Sequence, residues 1–121
     1  MSAIPAAEDV LDRSFEVLTL PEVAQSVGVP ITRVHQLVRD GHLVAFRRDG
    51  VKVVPALFLN GEGVVKGLAG TLTVLRDSGF SEEEMLRWLF TEDESLPGSP
   101  IEALRGNRGR EVKRRAQALA F

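Results

Sequence analysis

The sequence predicts a mainly α protein with a small β-hairpin wing: a winged helix-turn-helix followed by a C-terminal helical extension. Three observations carry this expectation. Two short helical patterns meet across Gly28-Val29-Pro30. Asp49-Gly50 then separates two strand-like runs, a strong signal for a two-residue hairpin turn. Beyond residue 67, Ser81-Glu82-Glu83-Glu84 and Ser99-Pro100-Ile101-Glu102 are two capping boxes that mark further helix starts.

Along the chain, residues 1–18 read as a flexible acidic tail that becomes ordered near Phe15-Glu16-Val17-Leu18. Thr19 caps a first helix that begins at Pro21 and ends at Val27, where Gly28 supplies the positive φ of a tight turn. A second helix spans Ile31 to Asp40 and stops at Gly41. Leu43 to Arg48 and Val51 to Pro55 are the hairpin strands, completing a winged domain over residues 19–58. Residues 59–121 form the helical domain. Ala56 to Gly67 is turn-rich, a loop or short strand, and Thr71 to Ser78 is a short helix closed by Gly79. Helices follow each capping box, separated by the acidic loop Thr91 to Gly98, and a basic helix runs from Arg110 to Leu119.

Composition bounds the function. A hydrophobic share of 44% in 121 residues supports a folded core, and the apolar runs are too short to span a bilayer. The N-terminus lacks the basic and apolar regions of a signal peptide. With no cysteine, disulfides and thiolate metal sites are excluded. These features point to a cytoplasmic protein with no membrane partner. Net charge is −2, yet it is unevenly spread: −4 over residues 1–30, +3 over 31–66, −5 over 67–100 and +4 over 101–121. Local basic patches can hold phosphate on a mildly acidic molecule.

A helix-turn-helix needs a small residue where its helices cross, a glycine in the turn and apolar side chains filling the angle. Ala24, Gly28 and the set Val23, Val27, Val29, Val34 and Leu37 meet these demands. On the second helix Ile31, Val34, Leu37 and Val38 form the buried stripe. Thr32, Arg33, Gln36 and Arg39 then face outward, with His35 at the edge. In a major groove Arg can grip guanine O6 and N7 together, and Gln can do the same for adenine N6 and N7. The competing reading is a plain helical hairpin with a solvated face. Across the two-residue turn Phe46 faces Val53, Arg47 faces Lys52 and Arg48 faces Val51, so Phe46 and Val53 point to the core. Like charges directly opposite cost stability, which a polyanion would relieve. Arg47, Arg48 and Lys52 are therefore candidate phosphate contacts, although basic side chains also keep edge strands soluble.

The run Leu20-Pro21-Glu22-Val23-Ala24, then Gly28-Val29-Pro30, Val34, Leu37, Gly41-His42-Leu43 and Phe46-Arg47 through Val54-Pro55 resembles the winged helix-turn-helix of excisionase and MerR-like proteins. Over nearly its whole length the chain resembles an actinobacterial family of small DNA-binding proteins with a short helical C-terminal domain. The second half of that likeness rests on Gly79-Phe80, Met85 to Phe90, Pro100 to Leu104 and Val112 to Phe121. The resemblance implies binding of double-stranded DNA by the second helix and the wing, a role in transcription regulation or the nucleoid, and control by a Ser/Thr protein kinase acting on the N-terminal tail. This chain departs there, because Ser2 and Ser14 are its only hydroxyl acceptors before Thr19. It also starts its second helix with Pro30-Ile31, where Ser or Thr usually caps. A homodimer on a palindromic site would multiply the few base contacts of one domain.

In the second half Trp88 reads as a core anchor or a partner-binding hot spot. Arg105, Arg108, Arg110, Lys113, Arg114 and Arg115 make the densest basic cluster, with Val112, Ala116, Leu119 and Ala120 as an apolar stripe. That helix could contact DNA phosphates, dock on the acidic 82–94 segment or face water. The pattern also loosely resembles antitoxin C-terminal modules, giving an alternative function as an adaptor that binds a partner protein. No enzyme is expected and no cofactor or metal. His35 and His42 are the only histidines and neither has metal-ligand spacing, while Glu82, Glu83 and Glu84 suit a helix start better than acid–base chemistry.

Overall fold

The computed structural model describes residues 6–96 and 98–119. Its elements run β1 (Val17–Thr19), α1 (Leu20–Val27), α2 (Ile31–Arg39), β2 (Phe46–Arg48), β3 (Val51–Pro55), a 3-10 turn (Ala56–Phe58), β4 (Leu59–Asn60), β5 (Gly63–Val64), α3 (Leu68–Asp77), α4 (Glu82–Phe90), α5 (Pro100–Arg105) and α6 (Gly109–Ala118). Among the described residues the architecture is six helices with a small antiparallel sheet ordered β1-β3-β2 and a separate β4-β5 hairpin.

Local chemistry sets the helix starts. The Thr19 hydroxyl accepts from the Glu22 amide while the Glu22 carboxylate accepts from the Thr19 amide, at 3.3 and 2.8 Å. The same reciprocal pair recurs at Ser81/Glu84 and Ser99/Glu102. α3 starts three residues before the predicted Thr71. Gly70 reads as a helix weakener costing about 1 kcal/mol. Burial of Leu68, Thr71, Leu72 and Leu75 outweighs that cost, and the Thr71 hydroxyl bonds the Gly67 carbonyl at 2.9 Å.

The expected strand Leu43 to Arg48 is shorter, because Leu43, Val44 and Ala45 are buried as an irregular segment leading into β2. The larger correction concerns residues 1–18. Residues 1–5 lie outside the described residues, but the rest is not a free tail. Ala7 lies beside β2, its amide donating to Ala45 and its carbonyl accepting from Arg47 at 2.9 and 3.1 Å. Ala7 and Leu11 are buried, and Val17 to Thr19 form β1 against Val53 to Pro55. Short apolar contacts scattered among acids do not produce a periodic signal, so the sequence alone reads them as solvated.

One continuous core joins both halves. Phe90 of α4 meets Phe15 edge to face at 4.9 Å and Phe58 at 5.7 Å. The Arg105 guanidinium donates to the Leu57 and Leu59 carbonyls. Trp88 is half-buried and packs against the core. At the other end of the junction Arg76 of α3 reaches the Gly41 carbonyl, 3.4 Å away. Gly41 has φ +77°, and a Cβ there would lie 2.4 Å from the Arg76 guanidinium. Gly41→Ala should therefore cost about 1–2 kcal/mol, chiefly from the left-handed backbone, since the arginine tip can move aside. Chemical denaturation measures it, and an unchanged midpoint would show that this turn relaxes freely.

Candidate nucleic-acid interface

The helix-turn-helix follows from one glycine and a well-filled angle. Gly28 takes φ +78° at the end of α1, and both its amide and that of Val29 donate to the Ala24 carbonyl at 2.8 and 3.0 Å. That closes α1 and turns the chain through Pro30 into α2. Val23 and Val34 are fully buried and Ala24 nearly so, which lets the helices cross closely. No side chain caps α2 at Pro30, in line with the departure noted at that position. The Arg33 amide instead bonds the Pro30 carbonyl at 2.9 Å.

Val34 and Val38 are buried, and Ile31 and Leu37 pack half-buried against the core. Thr32, Arg33, Gln36 and Arg39 are exposed on the opposite face, with His35 half-buried at its edge. The Arg33 guanidinium donates to the Gln36 side-chain carbonyl at 3.1 Å, one turn along. The structure thus brings a cationic fork and an amide together on one solvent-facing surface.

In the wing, Asp49 and Gly50 both take positive φ, +54° and +79°, as a turn matching the strand twist requires. Phe46 pairs with Val53 on the buried face, and Arg47 pairs with Lys52 on the other. Arg47 is exposed and Lys52 half-exposed.

Arg48 corrects the expected phosphate set. It lies on the Phe46 side of the strand, its guanidinium 5.4 Å from the Phe46 ring, and its side chain is 9% exposed. Nε and Nη2 donate to both Asp9 carboxylate oxygens at 2.7 and 3.2 Å, and the remaining N–H groups reach the carbonyls of Phe15, Leu11 and Asp12. The Arg48 hydrogen bond holds the Asp9 carboxyl below its usual range against the opposing effect of burial. Arg48 is a clamp on the N-terminal segment. A second ion pair, Arg13–Asp49 at 2.7 Å, ties the same segment to the wing turn, but both side chains are exposed.

Among the described residues the basic α6 makes no ion pair with the acidic 82–94 segment, although Arg115 lies near enough to Asp93 to help the Ser95 hydrogen bonds hold its carboxyl below the usual range. Val112 and Ala116 face the core, while Arg115 binds Glu111 and the hydroxyl and carbonyl of Ser95. Leu119 is exposed, and Ala120 lies outside the described residues. Arg110, Lys113 and Arg114 project into solvent. Among the described residues no group of three His, Cys, Asp or Glu could hold a metal ion, and no helix is long and apolar enough to cross a membrane.

Residues 3–59 match the family described as "DNA-binding protein Rv2175c, wHTH domain", and residues 65–120 match "Rv2175c C-terminal domain of unknown function". The chain is 46% identical to the DNA-binding protein Rv2175c of Mycobacterium tuberculosis (strain ATCC 25618 / H37Rv), covering all of this chain and 92% of that protein. The NMR structure of Rv2175c superposes with a TM-score of 0.87 at 45% identity, over 99% of this chain and 91% of that one.

Proposed function

The chain belongs to the Rv2175c family, and on that premise we propose that it binds double-stranded DNA, with α2 in the major groove and the β2-β3 wing on phosphates. The observation that carries this is the division of α2. Its apolar stripe is consumed by the core, leaving Thr32, Arg33, Gln36 and Arg39 as one exposed polar face, while the wing pairs Arg47 with Lys52 on its unburied side. Arg33 and Gln36 suit base edges, whereas Arg47 and Lys52 suit the backbone.

The function that follows is regulatory or architectural work on DNA in the nucleoid, of the excisionase or MerR-like kind. A homodimer on half-sites one helical turn apart is the matching assembly, testable by sizing the complex on a palindromic duplex. Kinase control would act at Ser2 or Ser14, of which Ser14 is among the described residues. Ser14 is exposed, with its amide on the Asp12 carboxylate, so a phosphate there would add negative charge beside the wing.

The test is a fluorescence-anisotropy titration of labelled duplex DNA at two salt concentrations. The wild type should weaken steeply with salt. Arg47→Ala/Lys52→Ala should lose about tenfold on every sequence at moderate salt and flatten the salt slope by roughly 2. No binding at low salt would overturn the reading and turn attention to a protein partner of the C-terminal half.

A further inference from the structure

α6 packs along α3, and the two helices border an open groove of about 1110 Å³. Six cationic residues line it, against a single carboxylate. That carboxylate, Glu111, is already neutralised by Arg108 at 3.4 Å and Arg115 at 3.1 Å. Lys66, Arg110, Lys113 and Arg114 are exposed and make no ion pair among the described residues. Arg110, Lys113 and Arg114 stand at spacings of three and four on one helix, so they repel one another at about one turn's separation. Val112 and Ala116, on the inner face of that helix, are buried, so the charged side chains cannot turn inward. The groove floor is side-chain-poor: Gly70 has open space where a Cβ would stand.

We propose that this groove is a second phosphate-backbone site for duplex DNA, on the domain whose function the family leaves open. The inference rests on the reading of the protein as a DNA binder and adds a surface to it. A polyanion fits because the uncompensated cations outnumber what one carboxylate or a dispersed acidic face could satisfy, whereas successive phosphates supply charge at every few ångströms. The surface reads no base edges. It raises affinity for all sequences and leaves selectivity to α2.

The salt-dependent titration of a labelled duplex tests this with the full-length chain. Arg110→Ala/Lys113→Ala/Arg114→Ala should reduce the magnitude of the log–log salt slope by about 2–3 and weaken binding at least tenfold near 0.1 M salt, equally on different sequences. Its thermal midpoint should not fall, because exposed repelling charges have been removed. Gly70→Glu offers an independent check. A carboxylate near the start of α3 should favour the helix yet weaken DNA binding, a combination that a folding defect would not give. A slope unchanged in the triple variant but flattened by Arg47→Ala/Lys52→Ala overturns the groove site and leaves the wing intact. The reverse pattern keeps the groove and overturns the wing. Failure of the wild type to bind at low salt overturns both.

Discussion

Arg48→Ala should lower stability by about 3 kcal/mol, shifting the thermal midpoint by roughly 10 °C for a chain of this size. The estimate follows from what the side chain holds. Its fork satisfies both oxygens of Asp9, which is itself only 19% exposed, and it caps three backbone carbonyls of the N-terminal segment. Removing one partner of such a pair leaves the other poorly solvated, which costs more than the pair contributes. Arg48→Lys should recover only part of the loss, since an ammonium cannot serve a carboxylate and several carbonyls at once. Limited proteolysis should cut the variant within residues 6–16 first. An unchanged midpoint would remove Arg48 from the structural framework.

The same clamp has a pH signature. The Asp9 carboxyl is held below its ordinary value of 3.8 in the folded protein, mainly by the Arg48 hydrogen bond. A carboxyl with a lowered folded pKa stabilises fully above its unfolded value, and that stabilisation is lost as pH falls through the folded one. The gap between wild type and Arg48→Ala should thus be constant near neutrality and narrow on acidification below pH 3.8. Denaturation midpoints at several pH values would measure it, and a gap independent of pH would assign the arginine's effect to its bonds to backbone carbonyls and its packing against Phe46.

On the DNA side, Arg33→Ala should have the largest effect, losing roughly 1–3 kcal/mol of discrimination, about tenfold to hundredfold, at one base pair. Gln36→Ala should relax a neighbouring position. These changes should differ from those at the wing, which are expected to weaken binding without altering preference. The 3.1 Å bond from Arg33 to the Gln36 carbonyl makes the pair non-additive. Loss of Arg33 frees Gln36 to change rotamer, so the double variant should cost less than the two single costs combined. Binding to a randomised duplex pool, followed by a double-mutant cycle on the selected site, measures both effects. Equal losses on every sequence from Arg33, Gln36, Arg47 and Lys52 would sink the division into base readers and phosphate contacts.

The helix-turn-helix and hairpin were legible because their signals are local: a turn glycine, a capping threonine and Asp49-Gly50. Arg48 was misplaced although the signal was present. Side chains alternate along a strand, so a residue two beyond the inward Phe46 must share its side. What the sequence could not supply was the partner, Asp9, 39 residues earlier in an aperiodic segment. β1 was hidden for the same reason, its pairing with β3 being set by tertiary contact. On α2 the apolar positions named the buried stripe correctly, and the exposed face followed by subtraction. α3 starts at Leu68 rather than at the expected Thr71 because burial of Leu68 and Thr71 outweighs the weak helix preference of Gly70.

The pairing of Ala7 alongside β2 has a further consequence for the protein in a crowded cell. The sheet order leaves β2 on the outside, where the backbone of residues 46–48 would otherwise face water. Such a border is a template onto which another chain can add. The N-terminal segment occupies it, with Arg48 and Asp9 as the latch. It is also synthesised before the strand it protects. The guard is therefore already outside the ribosome when the vulnerable border emerges, and a nascent chain can shield itself without waiting for its C-terminal helices.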